Sequence, residues 1–208
     1  MDLFDQEPEN HHYAVVDVET TGLNPLSERV IEIGVILLDS NFRTESEWST
    51  LINPQRPVTA SHVHGIRDAA VACAPSFGDV AAQLVGLLNG RVFVAHNAPF
   101  DQGFLNMEFA RAGLAAKVRT ENLACTMDQS RIYCPPGPHS LIGLAQRLGL
   151  ATHQDHRGLS DARIAATLLR HYAALEARGE RHTDFATNQR SGASVYPAQW
   201  LSAVPMSL

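Results

Sequence analysis

Cysteine is scarce in this chain: Cys73, Cys125 and Cys134 are odd in number, widely spaced and without a C-x-x-C pair in 208 residues. That excludes a disulfide scaffold and points to a reducing compartment with incidental thiols. Long apolar runs are also missing, since none approaches the roughly 18 residues that a bilayer span requires. The opening residues, Met1-Asp2-Leu3-Phe4-Asp5-Gln6-Glu7, are acidic rather than basic, so neither a transmembrane helix nor a signal peptide is expected, and the expected location is cytoplasmic. Basic clusters are lacking too. Arg43, Arg56, Arg67, Arg91 and Arg111 form no run and read as solvated surface. With a net charge of −6, broad coating of nucleic acid is excluded, whereas a site holding a few phosphates through a bound metal is not.

What is present suffices for one sizeable core, because 45% of the residues are hydrophobic. After a polar leader (1–12), Ala14 to Val18 reads as a buried strand and Thr21-Gly22-Leu23-Asn24-Pro25 as a turn. Val30 to Leu38 is a long β-branched run and Glu47 to Ile52 alternates, with Asp39-Ser40-Asn41 between them as a turn, which predicts an antiparallel meander of three strands. Helical spacing follows over Ser76 to Leu88, then a short apolar strand, Val92 to Ala95, and a helix over Phe100 to Ala112. Asn122 to Thr126 is compatible with another strand, and Ser140 to Leu148 and Leu159 to Ala177 carry the last strong helical patterns. The expected fold class is α/β, a mixed sheet flanked by helices over 13–177, followed by a polar tail over 178–208 whose apolar anchors are Val195-Tyr196, Trp200-Leu201 and Val204.

The most informative residues are Asp17 and Glu19. Positions i and i+2 of a strand share a face, so both carboxylates aim at one point. Two like charges about 4 Å apart cost about 4 kcal/mol at an effective dielectric of about 20, and a hard divalent cation between them removes that cost. The bland alternative, polar residues on a solvated strand face, makes no demand on the rest of the chain. The metal reading demands further carboxylates at strand or helix ends. Asp101 follows His96-Asn97-Ala98-Pro99-Phe100 at the opening of a helix, where the dipole favours an ionised acid. Asp161 sits in the first turn of the last helix, five residues after His156. A histidine beside such a site suits a general base, since its unperturbed pKa is about 6.5.

Asp17-x-Glu19-Thr20-Thr21-Gly22, Asn97-Ala98-Pro99-Phe100-Asp101 and His156-x4-Asp161 resemble, in order and spacing, the three motifs of the DEDDh (DnaQ-like) 3′→5′ exonucleases, typified by bacterial proofreading subunits. The His156 to Asp161 step matches the DEDDh branch rather than its tyrosine-bearing sister. The resemblance covers roughly residues 13 to 175. It implies a ribonuclease H-like fold with a five-stranded sheet. It implies further that Asp17, Glu19 and Asp161 hold one Mg²⁺ or Mn²⁺, that Asp17 and Asp101 support a second, and that His156 deprotonates the attacking water. Such two-metal chemistry releases nucleoside 5′-monophosphates from a 3′ end.

The same resemblance places the 3′ nucleotide against Thr20, Thr21 and Gly22, with Leu23 wedged at the terminal base, Asn97 nearby, and His64 of Val63-His64-Gly65-Ile66 near the terminal nucleotide. Phe100 offers either a stacking ring, worth about 1–3 kcal/mol per base, or core packing beneath the site. His11-His12 and His153-x2-His156 lack the further ligands of a tetrahedral zinc site. The expected partners are single-stranded or frayed DNA 3′ ends, with RNA as the alternative substrate, and a DNA polymerase or sliding clamp. Gln199-Trp200-Leu201 loosely resembles a clamp-binding peptide, although Trp200 packing back on the domain is the stronger reading. An inactive docking module is the competing class, and it has no need of five filled catalytic positions.

Overall fold

The computed structural model describes residues 11–150 and 156–208. His153 lies outside them. Strands β1 (His12–Thr20), β2 (Val30–Leu38) and β3 (Thr44–Leu51) form the expected antiparallel meander. Short helices α1 (Ser61–His64) and α2 (Asp68–Val71) and the longer α3 (Phe77–Leu88) lead into β4 (Arg91–Ala95), which pairs parallel to β1. Helix α4 (Ala98–Arg111) and a 3₁₀ turn (Thr120–Asn122) precede β5 (Leu123–Cys125), parallel to β4. The sheet order is β3-β2-β1-β4-β5. Then come α5 (Thr126–Tyr133), α6 (Leu141–Arg147), α7 (Gly158–Ala177), a hairpin of β6 (Ala186–Thr187) and β7 (Ser194–Val195), and α8 (Gln199–Ser202).

The period-2 alternation of the central strands sorts their side chains onto two cores. Tyr13 and Val15 of β1, Ile36 and Leu38 of β2, and Val92 and Val94 of β4 face α7. Ala14, Val16 and Val18, with Phe93 and Ala95, face α3 and α4. Since β2 is buried along its whole length, it shows the continuous apolar run of a two-sided strand rather than alternation. On β1 the parity that buries Tyr13 and Val15 continues to Asp17 and Glu19, so both carboxylates emerge on the α7 side of the sheet.

Glu108 of α4, 1% exposed, fixes the opposite layer. It accepts hydrogen bonds from Arg29 Nε at 2.7 Å and Nη2 at 2.9 Å, and from the Val30 N–H at 3.2 Å, with Arg111 Nη1 at 3.3 Å. Arg29→Met is expected to lower stability by about 2–3 kcal/mol, at the low end for a broken buried pair because Arg111 and the Val30 amide remain. The urea midpoint measures this, and an unchanged midpoint would show that the pair contributes nothing.

The segment beyond α7 packs on the domain. Trp200 is 1% exposed and tilts against Tyr133 with ring centroids 5.6 Å apart, while the Tyr133 hydroxyl donates to Glu176 and accepts from the Ala198 N–H. Gln199 Oε1 accepts from the Cys125 N–H on the free side of β5. The backbones of Val204 and Met206 bond to Glu121 and Arg91, just ahead of β5 and at the start of β4. Gln199-Trp200-Leu201 is therefore no free peptide, because its tryptophan sits in the core.

Candidate active site

Strand β1 delivers Asp17 and Glu19, and the register shifts between Glu19 and Thr20 as the strand ends. Asp101, in the first turn of α4, reaches the neighbouring residue: its Oδ1 accepts the Val18 N–H at 3.1 Å. Helix α7 brings Asp161 in its first turn, and two glycines permit it to come so close. A Cβ on Gly34 of β2 would lie 2.2 Å from the Gly158 carbonyl carbon, and one on Gly158 would lie 2.8 Å from the Gly34 nitrogen. Glycine in a strand interior marks this kind of backbone approach.

Glu32 is the functional neighbour that sequence reading missed. It pairs across the sheet with Glu19, is buried, and accepts from Arg157 Nε at 3.0 Å, Arg157 Nη2 at 2.6 Å and the Gly158 N–H at 2.9 Å. It thus anchors the entry of α7 to β2. The available signal was one acid inside a β-branched run.

Glu19, His156 and Asp161 each offer a ligand atom within 4.8 Å of the others. Burial, then the nearby Asp101, Asp161, Glu19 and Glu32, pushes the Asp17 carboxyl well above the usual range. Burial, then Asp161, Glu32 and Asp101, lifts Glu19 to about 8 against the pull of Arg157. Burial lifts Asp101 to about 8 although the Val18 amide stabilises its anion. A cluster of acids that resist ionisation together fits hard divalent cations, whose charge offsets both burial and repulsion.

Without metal the folded chain keeps protons on Glu19 and Asp101 up to about 8, while the unfolded chain releases them at the ordinary carboxylate values of about 4. Between those limits the unfolded state binds fewer protons, so stability falls as pH rises. Melting temperature in EDTA is expected to drop from about pH 5 to about pH 8 and the drop to shrink in saturating Mg²⁺; equal slopes with and without metal would refute this.

Beside the carboxylates lies a cleft of about 380 Å³ walled by Glu19, Thr20, Gly22, Leu23, His64 and Phe100, among others. Leu23 is 85% exposed at its rim. Phe100 serves both readings, since its ring packs tilted against Phe104 with centroids 4.9 Å apart and also lines the cleft. His64 is buried and its Nδ1 accepts the Ile66 N–H at 3.1 Å, which puts the ring proton on Nε2, an atom without a hydrogen-bond partner among the described residues. Burial holds the ring below the usual histidine pKa, hence neutral. Thr21 is placed differently from the expected contact. Its N–H donates to the Arg29 carbonyl, its own carbonyl accepts from Thr59 and its hydroxyl donates to Glu28, so it shapes the turn from behind and does not line the cleft. Asn97 also stands outside these walls, left-handed at φ 73°, with Oδ1 accepting from Arg190 Nη1 at 2.6 Å.

A family model described as an exonuclease (RNase_T) matches residues 14–169. The chain is 35% identical over 164 residues to a protein named DNA polymerase III subunit epsilon of Pasteurella multocida, and equally to its namesake in Haemophilus influenzae, covering 73% of this chain and 64% and 63% of theirs. It thus spans a little under two thirds of those relatives. The namesake in Buchnera aphidicola is 32% identical over 84% of this chain and 78% of its own. Among solved structures, exonuclease X in complex with 5′ overhanging duplex DNA superposes with a TM-score of 0.63 at 27% identity, covering 80% of this chain and 93% of that one. E. coli exonuclease I in complex with a dT13 oligonucleotide, at TM-score 0.72 and 17% identity over 81% of this chain and 42% of that one, shares the fold. The mixed sheet with its helices is the ribonuclease H-like fold expected from the motifs. No helix among the described residues is long and apolar enough to cross a membrane. With the family model spanning most of the chain and the motif residues gathered at one end of β1, this protein is an exonuclease of the DnaQ-like family.

Proposed function

We propose that the chain is a cytoplasmic 3′→5′ exonuclease that uses Mg²⁺ or Mn²⁺ to release nucleoside 5′-monophosphates from DNA 3′ ends, in proofreading or repair. The observation that carries this reading is the set of mutually repelling acids, Asp17, Glu19, Asp101 and Asp161, with His156 within ligand-atom reach of Glu19 and Asp161. Asp17, Glu19 and Asp161 would hold one ion, and Asp17 with Asp101 a second. When bound, such a pair supplies the charge that activates a water and stabilises the departing 3′ oxygen.

The chain's own residues do the rest. His156 takes the proton of the attacking water, from a connection whose backbone turns left-handed at φ 49°. The Nε2–H of His64 is a preset donor for the terminal nucleotide, and Leu23 and Phe100, which both line the cleft, offer its base apolar contact. Relatives named as epsilon subunits of DNA polymerase III support a polymerase as partner, for which co-purification is the direct observation. A clamp contact through Gln199-Trp200-Leu201 is not supported, since Trp200 is buried.

The test is degradation of matched DNA and RNA oligonucleotides labelled at either end. Mononucleotides released from the 3′ end, faster from DNA and abolished by EDTA, are expected. Faster trimming of RNA would move the assignment to an exoribonuclease, and metal-independent release would end the two-metal reading.

A further inference from the structure

We propose that the cleft between the 135–140 loop and the β6–β7 hairpin is a phosphate-binding site for the substrate strand, on the 5′ side of the nucleotide being removed. This rests on the reading of the chain as a 3′ exonuclease. The cleft, about 510 Å³, is walled by Arg131, Arg190, Ser140, Met127 and Pro138 among others.

Charge singles it out. In a chain of net charge −6, many arginines are neutralised by acids, as in Arg29–Glu108, Arg157–Glu32, Arg163–Glu47 and Arg181–Glu176. Among the described residues Arg43, Arg67, Arg131, Arg147, Arg170 and Arg190 have no carboxylate within ion-pair distance, and three of these six, Arg131, Arg147 and Arg190, converge on this cleft and its loop. The Nε of Arg131 is buried and has no hydrogen-bond partner among the described residues. Buried donors are normally satisfied, so this guanidinium keeps donor capacity that no described residue takes up while the side chain lines the cleft. Arg147 is locked from behind. Its guanidinium donates to the carbonyls of Pro135, Pro136 and Pro138, and a Cβ on Gly137 would lie 2.7 Å from its Cζ. The loop is thereby stiffened and given a fixed positive backing. Planar guanidinium forks match phosphate oxygens in geometry as well as in charge.

Position supplies the direction. Arg190 is tied at 2.6 Å to Asn97 Oδ1, and Asn97 precedes the helix whose first turn carries Asp101. The neighbouring His96 bonds through Nε2 to the His139 carbonyl of the cleft loop. These two ties join the cleft to the segment that carries Asp101, and on this placement a strand whose 3′ end sits by Leu23 and Phe100 runs on across this wall, which Met127 and Pro138 line with apolar surface.

The test uses the full chain and a fluorescent 12-nucleotide oligothymidylate with phosphorothioate linkages, so that binding is read without cleavage. Arg190→Gln is expected to weaken binding about fivefold and the Arg131→Gln/Arg190→Gln pair about twentyfold. The slope of log Kd against log[salt] should shrink by about 0.7 for each phosphate that the variant no longer neutralises, while affinity for dTMP shifts less than twofold. Unchanged strand affinity and salt slope in the pair overturn the proposal. Loss of dTMP affinity with strand binding retained overturns it in favour of a free-nucleotide site. Should the pair misfold, Arg190→Gln at the exposed hairpin decides alone. If the wild type hydrolyses nothing, the binding comparison still judges the cleft and only the exonuclease reading falls.

Discussion

Asp17→Asn is expected to abolish nuclease activity and, in the same protein, to raise the melting temperature in EDTA. Both effects follow from its place among the acids. Asp17 is the carboxylate pushed upward by all of Asp101, Asp161, Glu19 and Glu32, so an isosteric amide there removes the shared member of the cluster. Without metal that relieves repulsion and the cost of burying a charge. With metal it deletes the oxygen proposed to serve both ions. A thousandfold loss, about 4 kcal/mol of transition-state stabilisation at 1.36 kcal/mol per decade, is the least expected of a residue in that role. Mononucleotide release in Mg²⁺ and thermal melting with and without metal measure the two halves. Activity above a tenth of wild type would remove Asp17 from the metal site, and a lower melting temperature in EDTA would show that it is held by partners rather than strained by neighbours.

Gly34→Ala, far less conspicuous in sequence, is expected to cost about 3 kcal/mol and roughly a hundredfold in activity. The new methyl would meet the Gly158 carbonyl carbon at 2.2 Å, the Leu159 nitrogen at 2.3 Å and the Gly158 oxygen at 2.4 Å, all backbone atoms. No rotamer change can relieve such overlaps, so α7 must withdraw from the sheet, at the upper end of the usual overpacking penalty. Asp161 and Arg157 travel with it, and a 1 Å misplacement can cost about a hundredfold in rate. Gly158→Ala, whose nearest approach is 2.8 Å, should behave in the same way but more mildly. Denaturant unfolding and turnover together test this: equal losses in the two variants, or lost stability with full activity, would refute the positioning role assigned to the glycine pair.

The site was legible where the chemistry demands local spacing. Asp17 and Glu19 share a strand face, Asp101 and Asp161 open helices, and His156 precedes Asp161 by a fixed step, so each motif could be read without knowing its neighbours. The long strands and helices α3, α4, α6 and α7 were legible for the same reason, since their periodicity is internal. Glu32 was not, because its meaning arises from the β1–β2 register that sets it opposite Glu19. Helix α5 was not either: Thr126, Gln129 and Ser130 are buried in it, and Gln129 finds its partners in Tyr196 and Gln199, some seventy residues away. A polar residue satisfied by such a distant neighbour looks solvent-facing in sequence. The polar stretch past 177 was legible in part: Val195 and Trp200, two of its expected anchors, sink into the core, whereas Tyr196, Leu201 and Val204 stay exposed and Met206, not singled out in sequence, is buried.

That stretch has a consequence for the newborn chain. Asn122 donates to the Val204 carbonyl across 82 residues of sequence, so the end of the sheet closed by Val204 and Met206 stays open while those residues are made. At about 5–20 residues per second on the ribosome, the interval is roughly 4–16 s. During it, the free side of β5 and the hollow that Trp200 will fill are exposed to any other chain within reach, and whatever shields them in that interval governs how much of the enzyme is recovered folded.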